Sequence, residues 1–228
     1  MRNLQQQKQN HKRWRQKMNN IRSAEKPIPV KRKIVNTIAI LCMGIALGVF
    51  SKFLDTVPVN RLPFVFGYLD IGNFLGRFAI WVLIALCISV YSNSSVRAGV
   101  NVFVFFAGMV ASYYLYSNYI AGFFPKSYAA IWFGFTAFSP FLAAVCWYAK
   151  GKGKQAFTLS VLILAVLFNM TFVYGPGYLE ALSVLELAVF MIGFMVLRRN
   201  TLKSCGLMGI LGIASACLLD AVVPFHFG

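Results

Sequence analysis

The chain has 228 residues, of which 59% are hydrophobic and only 12% are charged, and its mean hydropathy is +0.68. Soluble domains carry about 25% charged and roughly 45–50% apolar residues, so this composition excludes an ordinary soluble domain. The formal net charge is +16, from 22 Lys and Arg against six Asp and Glu. Eleven of the basic residues, but only one acid, Glu25, fall within residues 1–33.

Residues 1–33 form a basic tail that we predict to be disordered or to lie as a helix on the membrane surface. A basic run of this kind can bind nucleic acid, but here it directly precedes an apolar run. That position disfavours nucleic acid and favours a cytoplasmic topology anchor that contacts anionic lipid headgroups. The rest of the chain, residues 34–228, is predicted to form a single transmembrane bundle.

Seven apolar runs follow the tail, each close to the ~20 residues that cross a ~30 Å hydrocarbon core. They are Ile34–Leu54, Phe74–Tyr91, Ala98–Tyr119, Tyr128–Ala149, Ala156–Tyr174, Tyr178–Leu197 and about Gly206–Phe225. Most connections are short, so consecutive helices are expected to be neighbours in an up-and-down bundle. The longest connection, residues 51–73, is expected to lie on the membrane interface or to dip into it. The sequence therefore predicts an all-α, polytopic transmembrane helix bundle of about seven spans.

Lys and Arg are unevenly distributed between the two sets of connections. If the N-terminus is inside the cell, the inner connections hold seven Lys and Arg residues and the outer connections hold three. The inner set is Arg97, Lys150, Lys152, Lys154, Arg198, Arg199 and Lys203, and the outer set is Lys52, Arg61 and Lys126. Because cytoplasmic loops carry the excess of basic residues, we predict an N-terminus inside the cell and a C-terminus outside.

Four ionisable residues are predicted to lie below the membrane surface, where charges are costly and usually face the bundle interior or a wet cavity. They are Arg77, Glu180, Glu186 and Asp220. A rise of 1.5 Å per residue places all four in the outer half of the membrane, with Asn169 at similar depth. We therefore predict a polar cavity there, bounded by the second, fifth, sixth and seventh runs.

Arg77 is the charge with the most alternatives. Asp70, Asn73 and Arg77 are three and four residues apart, so they share one face if the helix begins early enough. Arg77 then either snorkels to the outer headgroups or pairs with Glu186 or Asp220 on another helix. Such a pair either fixes the packing of the helices or lines a solute cavity, and the sequence leaves both interpretations open.

Glu186 and Pro140 are the other polar or helix-disturbing positions of interest. Glu186 falls near the centre of its run, so it must be paired, protonated or hydrated, either as a contact between helices or as a proton-coupled site. Pro140, in the fourth run, predicts a kink, because its ring removes one backbone hydrogen bond. Kinked helices often border the binding cavities of transporters.

No catalytic motif is found, and the five cysteines show neither metal-binding nor redox spacing. We therefore predict no metal, no cofactor and no catalytic residue. The leading hypothesis is transport or binding of a small solute through the polar cavity. The alternatives are a membrane scaffold that uses the basic tail, or, with least support, a lipid-modifying enzyme. The oligomeric state is left open.

The segments "GRFAIW", "NVFVFF" and "CWYAKGKG" carry a resemblance to known sequences. The chain resembles, over roughly residues 34–160, a family of bacterial multi-pass integral membrane proteins that contain a domain of unknown function. The resemblance implies a bacterial plasma-membrane localisation. It implies no activity and no site residues.

Overall fold

A computed structural model of the chain describes residues 6–7, 16, 18–24 and 28–222. Within these residues the predicted all-α class is confirmed, with one two-stranded hairpin as the exception. Five helices are long and apolar enough to cross a membrane. They are α1 (Val30–Thr56), α5 (Ser95–Tyr119), α6 (Lys126–Ala149), α7 (Gly153–Thr171) and α9 (Leu202–Val222).

Two further apolar helices, α4 (Phe78–Val90) and α8 (Val184–Leu197), are shorter. Between α1 and α4 lie a 3₁₀ turn (Val59–Arg61) and two short helices, α2 (Phe64–Tyr68) and α3 (Ile71–Gly76). Strands β1 (Phe172–Gly175) and β2 (Tyr178–Ala181) connect α7 to α8. Five of the seven predicted runs thus contain one long helix each, and the second and sixth contain only a short one.

The connections gather at two ends of the bundle. The end where α1 begins, called here the tail end, also holds the turns 91–94, 150–152 and 198–201. The opposite end, called here the hairpin end, holds residues 57–77, the connection 120–125 and the β-hairpin. Helices α4 and α8 therefore run in the same direction, from the hairpin end to the tail end.

Helix α5 is the most buried of the long helices, and α1, α6 and α9 leave most of their apolar surface open. Large apolar side chains such as Phe138 on α6 and Ile210 on α9 point outward. Helix α1 packs on α5 through Gly44 and Gly48, where an added Cβ would collide with the backbone oxygens of Phe105 and Met109. Small residues thus allow close approach of the two backbones, as is common in membrane helix pairs.

The second predicted span is not continuous. Helix α3 ends at Gly76, Arg77 is extended (φ −88°, ψ 160°), and α4 begins at Phe78. Asp70 has a left-handed backbone (φ 51°) and precedes α3 instead of lying within a helix. The expectation that Asp70, Asn73 and Arg77 share one helical face is therefore wrong, because glycine and a left-handed residue interrupt the helix on both sides of α3.

The fifth and sixth spans are also shorter than predicted. Residues 172–175 pair with residues 178–181 as an antiparallel hairpin, with Val173 opposite Glu180. Pro176 and Gly177 form its turn, and the positive φ of Gly177 (90°) is the conformation that glycine tolerates best. Valine and aromatic residues favour strands as well as lipid contact, so the apolar pattern did not reveal the hairpin.

Pro140 lies inside α6, which continues from Lys126 to Ala149. The carbonyl of Thr136, which loses its usual backbone donor to the proline, accepts a hydrogen bond from Ser139 Oγ at 2.9 Å. A serine hydroxyl thus replaces the missing amide, one of the ways in which membrane helices tolerate proline.

The predicted tail is shorter than residues 1–33, because α1 already begins at Val30. Residues 18–24 contact the bundle: Arg22 donates to the carbonyls of Trp147 (2.8 Å) and Val90 (3.0 Å), and its guanidinium lies over the Trp147 ring. Residues 18–24 are therefore packed against the bundle and are neither disordered nor bound only to the membrane surface, in contrast to our prediction for the tail. His11 and Glu25 lie outside the described residues.

The contact between α1 and α5 generates a stability prediction. Gly48→Ala should lower the free energy of unfolding by about 1–3 kcal/mol, because the new methyl group collides with α5 backbone. The matched control is Gly206→Ala on α9, where a Cβ meets nothing within 4 Å and stability should stay equal or rise slightly. Unfolding of the purified protein in detergent measures both variants. Equal midpoints would contradict the close α1–α5 contact.

Candidate functional site

Arg77 and Glu186 form an ion pair at the hairpin end, with Nη1 of Arg77 2.7 Å from Oε1 of Glu186. The Glu186 side chain is fully buried, whereas that of Arg77 is 24% exposed. Arg77 occupies the extended link between α3 and α4, and Glu186 lies in the first turn of α8. Of the two partners that the sequence left open for Arg77, the structure brings Glu186 into contact. This ion pair links the starts of the two short helices α4 and α8.

The carboxylate of Glu186 is held from a second side by Ser183. The Ser183 hydroxyl contacts Oε2 of Glu186 and also caps α8 by accepting from the backbone amide of Leu185. The sequence placed Glu186 near the centre of a long apolar run, whereas in the structure it lies in the first turn of α8, because the hairpin delays the start of that helix to Val184. A carboxylate in the first turn also interacts favourably with the helix dipole.

The break between α3 and α4 exposes backbone groups that need partners. Trp81 Nε1 donates to the carbonyl of Leu75 at 2.9 Å, across the break. The Arg77 amide reaches back to the carbonyl of Asn73 at 3.1 Å. Non-helical backbone at membrane depth is tolerated where it is buried in protein or lines a wet cavity.

A cavity of about 330 Å³ lies directly beside this break. Its walls come from α1, α3, α4, α5 and α6, including Leu75, Gly76 and Trp81 from the two sides of the break. Aromatic side chains form much of the remaining wall: Tyr113, Tyr114, Phe123, Tyr128 and Trp132. Binding cavities for small molecules have this character, mostly apolar walls with a few placed polar groups.

Lys52, Asp55 and Tyr113 contribute connected polar groups to the lining of the cavity. The Tyr113 hydroxyl donates to Asp55 Oδ2 at 2.5 Å, and Lys52 Nζ lies 3.6 Å from the same oxygen. Lys52 Nζ is also 5.0 Å from the centre of the Tyr113 ring. These three groups thus form one connected polar cluster at the hairpin end of the cavity.

The location of this cavity differs from the sequence prediction. It lies among the first four apolar runs, whereas we expected it among the second, fifth, sixth and seventh. Neither Arg77 nor Glu186 lines it, although Gly76 does. Sequence reasoning missed Lys52 and Asp55 because they follow the apolar centre of the first run; their spacing of three residues at the end of a helix was the available signal.

The other predicted site residues lie apart from the cavity. Asn73 donates to both carboxylate oxygens of Asp70, at 2.9 and 3.0 Å, in an exposed position. Asn169 donates to the carbonyl of Ala216 and accepts from Tyr174, so it connects α7 to α9 and the hairpin. Glu180 is exposed on β2 instead of starting a helix, and Asp220 is half-buried near the end of α9.

Comparisons of the chain with protein-family models, with curated proteins and with solved structures gave no match.

The ion pair predicts strong coupling between two variants. Arg77→Leu should destabilise the protein by about 3–5 kcal/mol, because it leaves the fully buried Glu186 carboxylate without its cation. The double variant Arg77→Leu/Glu186→Leu should recover most of that loss, since apolar side chains often replace a buried pair at little cost.

A double-mutant cycle on unfolding in detergent measures this coupling. The control cycle uses Arg61→Leu and Glu180→Leu, two exposed charges at the same end, whose effects should be small and additive. Additive losses at Arg77 and Glu186 would show that the two residues do not interact.

Proposed function

We propose that the protein is a multi-pass protein of the bacterial plasma membrane that binds a small solute in the cavity at the hairpin end, as a transport-type protein. The seven apolar helices, five long and two short, support seven crossings. The excess of Lys and Arg in the connections of the tail end supports a cytoplasmic tail end and an extracellular hairpin end. The resemblance of residues 34–160 to bacterial membrane proteins supports the bacterial assignment.

The observation that carries the proposal is the cavity beside a broken helix. A helix interrupted within the membrane costs hydrogen bonds, and transporters use such interruptions to place polar groups at substrate sites. Here the interruption at Gly76 and Arg77 adjoins a cavity of about 330 Å³, a volume at the small end of the range for ligand sites.

The lining suggests the chemical class of the solute. Aromatic walls suit an apolar or aromatic body, and the Lys52, Asp55 and Tyr113 cluster offers a cation, an anion and a hydroxyl within one group. A small amphipathic or zwitterionic molecule satisfies both parts. A large anion does not, because Asp55 lies at the polar end.

The alternative of a scaffold with a tail as docking element has less support. Arg22 already contacts helix-terminal carbonyls of the bundle, so this part of the tail is engaged within the chain. The basic residues that precede it remain suited to anionic headgroups.

The first prediction concerns access to the cavity from outside. Val110, which lines it, changed to Cys should react in intact cells with a small, charged, membrane-impermeant methanethiosulfonate. The matched control is Phe138→Cys on α6, whose side chain points outward to lipid and should not react, because the thiol is not ionised there. Wild-type protein, with five cysteines, sets the background. Equal labelling of both variants would contradict a water-filled cavity.

The second prediction concerns the solute. A thermal-shift screen of small zwitterionic and amphipathic solutes should identify compounds that raise the melting temperature of the wild type. Val110→Trp, which fills the cavity, should abolish the shift, whereas Phe138→Trp should retain it. Tyr113→Phe should weaken binding about tenfold, because it removes the hydroxyl that holds the Asp55 carboxylate in position for the solute.

Uptake of such a compound into proteoliposomes then distinguishes transport from binding. A thermal shift that survives Val110→Trp would place the solute elsewhere and overturn the proposed site.

A further inference from the structure

A second cavity, of about 420 Å³, lies at the tail end between the turn that joins α6 to α7 and the turn that joins α8 to α9. Four cationic residues line it: Lys150, Lys152, Arg198 and Arg199. Asn200, Thr201 and Ser204 add polar side chains, and Phe157 and two glycines complete the lining. The cavity therefore carries four cationic side chains, and it lies at the opposite end of the bundle from the proposed solute site.

Two of the four cations are held by backbone carbonyls. Lys150 Nζ donates to Val196 at 2.5 Å, and Arg199 donates to Ala149 at 2.8 Å and to Gly151 at 2.9 Å. The carbonyls of Ala149 and Val196 belong to the last turns of α6 and α8, where a cation is favourable. Partial burial and the charges of Arg199 and Arg22 lower the pKa of Lys150, so this cluster of cations repels itself.

The other two cations point to a ligand. Lys152 and Arg198 are exposed at the cavity. The first turn of α7 also begins here without a side-chain cap among the described residues, whereas Thr201 Oγ1 caps α9 by accepting from the Ser204 amide at 3.2 Å. Helix N-termini carry partial positive charge and amide donors that bind anions.

No described carboxylate balances this charge. The five acids within residues 28–222 are Asp55, Asp70, Glu180, Glu186 and Asp220, and all five lie at the hairpin end. The sixth acid of the chain, Glu25, lies outside the described residues. A cluster of four cations beside one uncapped helix N-terminus therefore has no acidic partner within the described bundle.

We propose that the cavity between residues 150–153 and 198–204 is a binding site for a phosphate-bearing anion at the tail end of the bundle. Lys152 and Arg198 would contact the phosphate oxygens, with the amides at the uncapped start of α7 as further donors. Lys150 and Arg199 hold the two turns in position through their carbonyl contacts. The phosphate belongs either to a lipid headgroup at the membrane surface or to a soluble phosphate compound, since both present the same oxygens.

The test uses the purified full-length protein in detergent with three probes. They are dihexanoyl-phosphatidylglycerol, dihexanoyl-phosphatidylcholine as the headgroup without net charge, and inorganic phosphate. The variant Lys152→Gln/Arg198→Gln removes the two exposed charges and leaves the carbonyl contacts of Lys150 and Arg199 intact. The matched control, Arg61→Gln/Lys126→Gln, removes two exposed charges at the hairpin end.

At about 1 kcal/mol for each cation, the tail-end variant should bind its anionic ligand roughly thirtyfold more weakly than the wild type, and the control should bind it equally. The charge-retaining Lys152→Arg/Arg198→Lys variant should bind within a few-fold of wild type, which separates loss of charge from loss of fold. If the tail-end variant loses binding of phosphatidylglycerol but the wild type does not bind inorganic phosphate, the ligand is a lipid headgroup. If the wild type also binds inorganic phosphate and the tail-end variant loses that binding too, the ligand is a soluble phosphate.

Two outcomes would overturn the proposal. One is wild-type protein that binds neither anionic probe more tightly than phosphatidylcholine. The other is equal loss of binding in the tail-end and hairpin-end variants, which would mean that only net charge matters.

Discussion

The ion pair between Arg77 and Glu186 is the contact on which the arrangement of the bundle depends. Helices α4 and α8 have 13 and 14 residues, so each spans about 20 Å and falls short of a ~30 Å hydrocarbon core. The pair joins them at the point where both begin. A buried pair adds little net stability, but breaking it strands a buried charge, so it specifies how these helices are aligned.

Charge is divided between the two ends of the bundle, and each end satisfies its charges differently. At the hairpin end, carboxylates meet cations, as in Glu186 with Arg77 and Asp55 with Lys52. At the tail end, Arg22, Lys150 and Arg199 instead donate to carbonyls in the last turns of α4, α6 and α8. These three basic residues thus lie at the negative ends of three helix dipoles, where a positive charge is favourable.

The apolar runs predict the long helices well, because a helix of ~20 apolar residues is the simplest way to satisfy backbone groups in lipid. The ends of α5 and α6 lie within three residues of the predicted ones. The hairpin was not predictable this way, because "FVYG" is as apolar as its neighbours. The break at Arg77 was not predictable either, because one glycine and one arginine within "FLGRFAIW" do not by themselves end a helix. The choice of Glu186 over Asp220 as partner depends on packing between distant segments, which no local pattern contains.

Two interruptions of apolar runs show why one helix stays whole and another breaks. At Pro140 a single amide is lost, and Ser139 supplies a replacement donor one residue away, so α6 continues. At Arg77 the side chain must reach a carboxylate on α8, and the extended backbone that accompanies this contact leaves Leu75 to be satisfied by Trp81. The first repair is local and leaves the helix continuous. The second draws on two other elements, and the residues on both sides of the break, Gly76 and Trp81, become the wall of a cavity.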